Sequence, residues 1–224
     1  MAERLVQVPA APVTLEGDLT LPERARGVVL FAHGSGSSRF SPRNRHVARR
    51  LNEAGLATLL IDLLTLEEEE FDRQSVVLRF DIGLLAARLI AATRWLGEHR
   101  DTRHLRIGYF GASTGAAAAL VAAAELPHAV GAVVSRGGRP DLAGRALARI
   151  RAPTLLIVGG EDTEVLELNA QAFAQLHCEK ELTVIPGATH LFEEPGALEQ
   201  VTRHAREWFE RYLIPAEVRP TGTG

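Results

Sequence analysis

The sequence predicts an α/β domain: a doubly wound, mostly parallel β-sheet with an antiparallel edge at its N-terminal end. Three observations predict it, namely short uninterrupted apolar runs, segments of helical spacing between those runs, and one early stretch that alternates apolar and polar residues. Uninterrupted apolar runs of this length are typical of strands covered by helices on both faces. Because strand and helix alternate, any functional site is expected at the carboxyl ends of the parallel strands.

The alternating stretch comes first. In residues 13–21 the apolar Val13, Leu15 and Leu19 alternate with polar residues, which predicts an antiparallel strand exposed to water on one face. Gly17 is expected to mark a bulge or a hairpin. The apolar strands that follow are predicted at residues 28–32, 57–61, 105–110, 130–134, 153–158 and 182–186. The helices are predicted at residues 46–54, 80–97, 114–126, 141–150, 165–176 and 198–213.

We expect residues 1–214 to form a single domain, because a chain of 224 residues fits one large α/β unit. The remaining residues, 215–224, are rich in Pro, Thr and Gly and are expected to be disordered. The stretch between the strands that end at Ser135 and start at Pro153 leaves room for one helix but for no large cap. Apolar residues around the acidic run 67–70 are expected to form at most a modest flap.

Composition and charge exclude several function classes. The chain has 25 Lys and Arg against 28 Asp and Glu, and a net charge of −3 is too acidic for a protein that depends on nucleic-acid phosphates. Its single cysteine, Cys178, excludes an internal disulfide and a thiolate zinc cluster and suits a reducing cytosol. The N terminus lacks the apolar stretch of a secretory signal, and the apolar run 116–124 is too short to cross a membrane. We therefore expect a cytoplasmic protein with no nucleic-acid, membrane or metal partner; whether it forms a homodimer stays open.

The segment with the clearest chemistry is GASTG at residues 111–115, between an apolar strand and an alanine-rich helix. In a nucleophile elbow a serine occupies a tight strand-to-helix turn, and the residues two before and two after it must be small. Gly111 and Gly115 meet this requirement around Ser113. A serine between glycines also occurs in ordinary loops, but the position between strand and helix favours a nucleophile.

A serine hydroxyl needs a base whose pKa lies near the working pH, and histidine is the usual one. Of the eight histidines, His190 lies in the loop between the last strand and the C-terminal helix, at the edge of the sheet where Ser113 is expected. The acid that orients the histidine is expected at the end of the preceding strand, where Glu161 and Asp162 follow two glycines. We choose Asp162, with Glu161 as the neighbouring alternative.

A glycine-rich turn, HGSGSS at residues 33–38, follows the first apolar strand. Such a turn presents free backbone amides, and we expect the amides of Ser35 and Thr114 to share the oxyanion that develops during acyl transfer. His33 and Gly34 are expected close to bound substrate. A phosphate-binding loop is the weaker alternative, because the Gly-x-x-x-x-Gly-Lys-Ser/Thr spacing is absent.

These segments resemble those of the α/β-hydrolase superfamily, and most of all its small, lidless dienelactone-hydrolase-like branch. The resemblance spans residues 28–213 and includes the order Ser113, Asp162, His190 along the chain. It implies an α/β-hydrolase fold and the hydrolysis of a small-molecule ester or lactone through an acyl-enzyme, with no cofactor and with an open pocket for small acyl groups. Dienelactone hydrolases proper use a cysteine nucleophile and place a substrate-binding arginine four residues after the catalytic histidine. This chain has Ser113 and Glu194 at those positions, so only carboxylic ester hydrolysis carries over.

Several arginines follow the ends of the predicted strands, among them Arg39 and Arg136. One interpretation is that they bind a carboxylate or phosphate group of the substrate, because guanidinium groups form paired hydrogen bonds with such anions. The preferred interpretation is that the arginines pair with the acidic run 67–70 and with Glu193 and Glu194.

Other functions stay open at this point. A thioesterase, peptidase or acyltransferase would use the same three side chains. A non-catalytic binding or regulatory domain would keep them only as relics, and the presence of the complete set argues against that reading.

Overall fold

The computed structural model of the protein describes residues 2–215. Of the predicted disordered tail, 215–224, all but the first residue lies outside the described residues. Within residues 2–215 eight strands form one sheet: β1 Ala2–Ala10, β2 Val13–Leu21, β3 Val28–Ala32, β4 Ala57–Ile61, β5 Ile107–Ala112, β6 Val130–Arg136, β7 Thr154–Gly159 and β8 Lys180–Ile185. Their spatial order is β1-β2-β4-β3-β5-β6-β7-β8. The pairings of β1 with β2 and of β2 with β4 are antiparallel, and the other five are parallel. The predicted mostly parallel sheet with an antiparallel N-terminal edge is confirmed.

Helices cover both faces of this sheet. The α-helices in the described part of the chain are α1 Pro42–Glu53, α2 Leu66–Ser75, α3 Ile82–Glu98, α4 Thr114–Glu125, α5 Thr163–Gln175 and α6 Ala197–Leu213. Two 3₁₀ segments, Leu78–Phe80 and Pro140–Arg149, complete the set. The second replaces the α-helix predicted at 141–150, because Gly144 interrupts it with a φ of 51°. No large cap domain is inserted among these described elements, as predicted.

The core consists of two apolar layers separated by the sheet. Successive side chains of a strand point to opposite faces, so Tyr109 and Phe110 of β5 are both buried but belong to different layers. One layer lies beneath α3 and α4, and the other lies beneath α1 and α6. The small side chains of α4 are almost all buried, which allows this helix to lie close to the sheet. The start of α4 is thereby held firmly against the end of β5.

The prediction for Gly17 is wrong. Gly17 lies in the middle of β2 and is paired on both sides, with Val6 and with Ile61, while the hairpin turn falls at residues 11–12. A Cβ atom at this position would lie 2.9 Å from Cδ1 of Leu59 and 3.2 Å from the carbonyl oxygen of Leu60. The glycine therefore serves close packing inside the strand rather than a turn.

Candidate active site

Ser113 occupies the sharp turn between β5 and α4. Its φ is 51° and its ψ is −123°, a strained conformation that a non-glycine residue rarely adopts. The two flanking glycines are required by close contacts with backbone. A Cβ on Gly115 would lie 2.4 Å from the carbonyl oxygens of Ala32 and His33, and one on Gly111 would lie 2.4 Å from Cα of Ala116. The local geometry is therefore that of the elbow which the sequence predicts.

Backbone hydrogen bonds and one glycine fix the position of the serine. The amide of Ser113 donates to the carbonyl of Arg136 at 3.3 Å, and its carbonyl accepts from the amide of Arg139 at 3.1 Å. Its side chain lies against Gly34, where a Cβ would be 3.0 Å from the serine Cβ and 3.7 Å from Oγ. The hydroxyl thus stands next to the bare backbone of the glycine-rich turn.

His190 and Asp162 form a short hydrogen bond. Nδ1 of the imidazole lies 2.7 Å from Oδ2 of Asp162, at the end of β7. The carboxylate side chain is only 14% exposed, while the imidazole side chain is 39% exposed. Glu161, the neighbouring alternative, is exposed, and its backbone amide donates to the carbonyl of Ala188. The carboxyl group that contacts the imidazole is therefore that of Asp162.

Gly137 links the imidazole to the serine turn. A Cβ on Gly137 would lie 3.1 Å from the carbonyl oxygen of His190 and 3.6 Å from Cε1 of its ring. Gly137 directly follows Arg136, whose carbonyl accepts from the amide of Ser113. The imidazole and the serine thus lie at the same edge of the sheet, both next to residues 136–137.

The glycine-rich turn is anchored through His33 and Ser35. Nε2 of His33 accepts from the amide of Leu63 at 3.0 Å, so Nδ1 carries the proton and donates to the carbonyl of Gly34, also at 3.0 Å. Burial lowers the pKa of His33, which keeps the ring neutral. The amide of Ser35 donates to Oγ1 of Thr114 at 2.9 Å. The predicted oxyanion donor therefore has a partner in this structure, and both ring nitrogens of His33 hold the turn rather than project toward substrate.

The side chain of Arg39 is held by neighbouring carboxylates and does not face an open pocket. Its side chain is 11% exposed and forms ion pairs with Glu16, Asp18 and Asp62. The expected partners of Arg39 were the carboxylates of the acidic run 67–70, and the three observed partners lie outside that run. We therefore assign Arg39 to the scaffold below the glycine-rich turn and not to substrate.

Arg136, which was also considered as a substrate-binding residue, is not assigned to substrate binding either. It is buried beneath the sheet edge, where its guanidinium donates to Oδ1 of Asn44 at 3.1 Å and lies over the ring of Phe192. Burial lowers the pKa of this guanidinium to about 10. Of the expected pairings with the acidic residues after His190, the structure contains one, between Arg43 and Glu193 at 3.0 Å.

A cavity of about 460 Å³ opens along the glycine-rich turn, and Gly34, which lies next to Ser113, is part of its lining. The turn at residues 33–38 forms one wall, and α2 with the following 3₁₀ segment forms the opposite wall. The charged side chains of that opposite wall, Glu69, Asp72, Arg73 and Arg79, were not predicted as site residues. The sequence does contain a signal for the helix that carries them: Thr65 and Glu68 form a reciprocal capping box at its start.

The described residues contain neither a candidate metal cluster nor a candidate membrane span. Among residues 2–215, no group of three or more His, Cys, Asp or Glu side chains is arranged to hold a metal ion. No helix in that same range has the length and apolar character needed to cross a membrane.

Comparison with known proteins gives a consistent family. The profile of the dienelactone hydrolase family matches residues 15–213. The crystal structure of dienelactone hydrolase from Anabaena variabilis ATCC 29413 is 63% identical, with a TM-score of 0.93, and the match covers 95% of this chain and 98% of that one. Est1E from Butyrivibrio proteoclasticus, with ferulic acid bound, is 18% identical with a TM-score of 0.79, and the match covers 92% and 98% of the two chains. The last match supports the fold alone, which is that of the α/β hydrolases.

Two further relatives carry a name that differs from that of the family. Two proteins from strains of Mycobacterium tuberculosis, provisionally named phosphoribosyl transferases, are each 62% identical over 208 residues. The match covers 93% of this chain but only 46% of those proteins. The chain therefore spans about half the length of the curated relatives it matches.

Proposed function

Because the chain belongs to the dienelactone hydrolase family, we propose that it is a serine hydrolase which cleaves carboxylic esters or lactones of small acyl groups. The family and the fold are those of hydrolases, and the proposal adds the bond that is cleaved and the residues that cleave it. It is carried by the 2.7 Å hydrogen bond between His190 and Asp162, at the same edge of the sheet as the strained Ser113 turn.

In the proposed first half-reaction, Nε2 of His190 takes the proton from Oγ of Ser113 while Oγ bonds to the carbonyl carbon of the ester. The tetrahedral intermediate then expels the alcohol oxygen, which receives that proton from Nε2. The products of this step are an alcohol and an acyl-enzyme. In the second half-reaction water takes the place of the serine, with the same proton transfers, and the acid is released. Asp162 accepts from Nδ1 throughout, which keeps Nε2 free to accept a proton and stabilises the imidazolium.

The oxyanion is proposed to bind at the start of α4. The first amides of a helix have no partner within it, so the amide of Thr114 is suited to an oxyanion at this place. The amide of Ser35 is the proposed second donor. Since that amide donates to the hydroxyl of Thr114 in the free protein, the hydroxyl has to turn aside when the oxyanion forms.

The size of the cavity supports small acyl groups. A volume of about 460 Å³ lies at the lower end of the range typical of small-molecule sites, and no cap domain covers it among the described residues. Phosphoribosyl transfer is not proposed for this chain. That name belongs to proteins more than twice the length of the matched part.

The experiment that tests this proposal is labelling with a serine-directed fluorophosphonate, followed by mass spectrometry. Labelling of Ser113, together with turnover of short acyl esters, is expected for the wild type, and neither is expected for Ser113→Ala. A panel of esters, lactones, thioesters and amides identifies the preferred bond. A folded wild-type protein that neither labels nor turns over any of these substrates would contradict the proposal and favour a non-catalytic binding domain.

A further inference from the structure

The cavity along the glycine-rich turn has one wall that the proposed chemistry does not use. This wall, which we call the flap, consists of residues 66–80, that is, α2 and the 3₁₀ segment after it. Five of its side chains are carboxylates and two are guanidinium groups, so the flap is acidic overall. This negative net charge is the first indication of the kind of substrate that the flap favours.

Among the charged side chains of the flap that line the cavity, one carboxylate has no ion pair. Asp72 is nearly completely buried and binds Arg79, whose Nε donates to it at 2.5 Å. Arg73, which also lines the cavity, pairs with Glu70 at 2.9 Å. Glu69 lines the cavity, and within residues 2–215 its carboxylate has no hydrogen bond or ion pair. The uncompensated charge in this cavity is therefore negative.

The charged residues behind the flap add to the negative charge near the cavity. Arg39 and Arg45 face more carboxylates than they can neutralise; these are Glu3, Glu16, Asp18 and Asp62. Burial raises the pKa of Glu69 and the charge of Asp62 raises it further, and the opposing charges of Arg73 and Arg39 only partly offset this rise. A second anion placed in the cavity would meet the same repulsion, whereas a cation would relieve it.

We propose that Glu69 determines the substrate class: the cavity favours esters whose acyl group carries a cationic group, such as a quaternary ammonium, over esters that carry a carboxylate at the same position. This inference rests on the proposed hydrolase function. It reverses the hypothesis of an anionic substrate that the arginines suggested, because Arg39 and Arg136 do not line the cavity. The two arginines that do line it are already paired, Arg73 with Glu70 and Arg79 with Asp72.

The test uses three para-nitrophenyl esters of similar shape: the glutaric acid monoester, the γ-trimethylammonio-butyric ester and the neutral tert-butyl isostere of the latter. The ratio of kcat/KM for the cationic ester to that for the anionic ester is measured in wild type and in Glu69→Gln. Loss of one partly exposed charge a few ångströms from the ligand is expected to lower the ratio about tenfold, and high salt is expected to lower it in the wild type. Turnover of the neutral ester is measured in each variant as the reference for changes that do not depend on charge.

Glu67→Gln is the matched control, because Glu67 lies on the same helix but is exposed. It is expected to leave the ratio unchanged, and thermal unfolding of both variants checks that they are folded. An unaltered ratio in Glu69→Gln, with normal turnover of the neutral ester, would overturn the inference and leave the proposed function intact. Absence of turnover of all three esters by a wild type that is also not labelled at Ser113 would overturn both.

Discussion

Asp162→Asn is expected to lower kcat about 10³- to 10⁴-fold while leaving KM within about threefold. The carboxylate holds the proton on Nδ1 of His190 across 2.7 Å, a length typical of a charge-assisted hydrogen bond. An asparagine that turns its N–H toward Nδ1 moves the ring proton to Nε2, which then has no lone pair to accept the proton of Ser113. At 1.36 kcal/mol per factor of ten, the loss corresponds to about 4 to 5.5 kcal/mol of transition-state stabilisation.

The folded state is expected to tolerate this change. Asp162 is the N-cap residue of α5, but its side chain makes no capping hydrogen bond, so the helix does not depend on the carboxylate. We expect the free energy of unfolding to fall by about 1 kcal/mol or less. Urea unfolding therefore separates the catalytic role of this residue from a structural one.

The assay is the pH dependence of kcat and kcat/KM on a short acyl ester, together with the rate of fluorophosphonate labelling. Glu161→Gln is the control, because that neighbouring carboxylate is exposed and is expected to affect neither quantity. A loss of less than tenfold in Asp162→Asn, or an equal loss in Glu161→Gln, would refute the assignment of the acid.

Three further changes test the scaffold of the site. Gly115→Ala places a Cβ 2.4 Å from the carbonyl oxygen of His33 and is expected to destabilise the fold by about 3 kcal/mol or more in urea unfolding, whereas Gly97→Ala, with nothing within 4 Å, should be neutral or stabilising. Arg39→Met leaves the buried carboxylate of Asp62 without its ion pair and should cost about 3 kcal/mol, against less than about 1 kcal/mol for the exposed Arg4→Met. Since burial lowers the pKa of His33, the unfolded state binds more protons below its ordinary pKa of 6.5, so stability is lost as the pH falls. His33→Gln should reduce the difference between the urea midpoints at about pH 7.5 and pH 5.5, and an identical difference in both proteins would contradict this.

The mostly parallel sheet, and the common edge at which the three candidate catalytic side chains lie, follow from rules that a sequence displays. Parallel strands end at a common edge, and the segments that contain Ser113, Asp162 and His190 each follow such a strand. The requirement for glycine two residues either side of the serine is local as well. Because these rules need only chain order and spacing, the fold class could be predicted without any knowledge of side-chain packing.

The flap could not be predicted in the same way. Leu66, Phe71 and Phe80 are exposed, so this segment has no apolar stripe of helical period that would indicate a buried face. Its acidic run has the composition of a solvated loop. Only the capping box at Thr65 and Glu68 indicates a helix start, and the acidic composition of the segment points instead to a loop.

The partners of Arg39 depend on strand register, which the sequence does not display. Glu16 and Asp62 lie far apart along the chain, and they meet because Gly17 pairs with Ile61 across β2 and β4. The amide of Asp62 donates to the carbonyl of Glu16 at 3.0 Å, which places both carboxylates beside the same guanidinium. A register shift of one residue would turn these side chains to opposite faces, so pattern alone favoured the acidic run as the partner.

The contacts around the site separate the residues proposed to perform the chemistry from those proposed to select the substrate. The turn of Ser113 is held by β6 and the residues after it, through Arg136 and Arg139. The flap, in contrast, begins three residues after Leu63, which follows β4 and whose amide donates to Nε2 of His33. Changes on the cavity-facing side of the flap are therefore expected to alter the cavity without displacing the serine, since none of the hydrogen bonds that fix the elbow comes from the flap. We therefore expect that substitutions along this side of α2 change substrate preference while the geometry of the elbow stays constant.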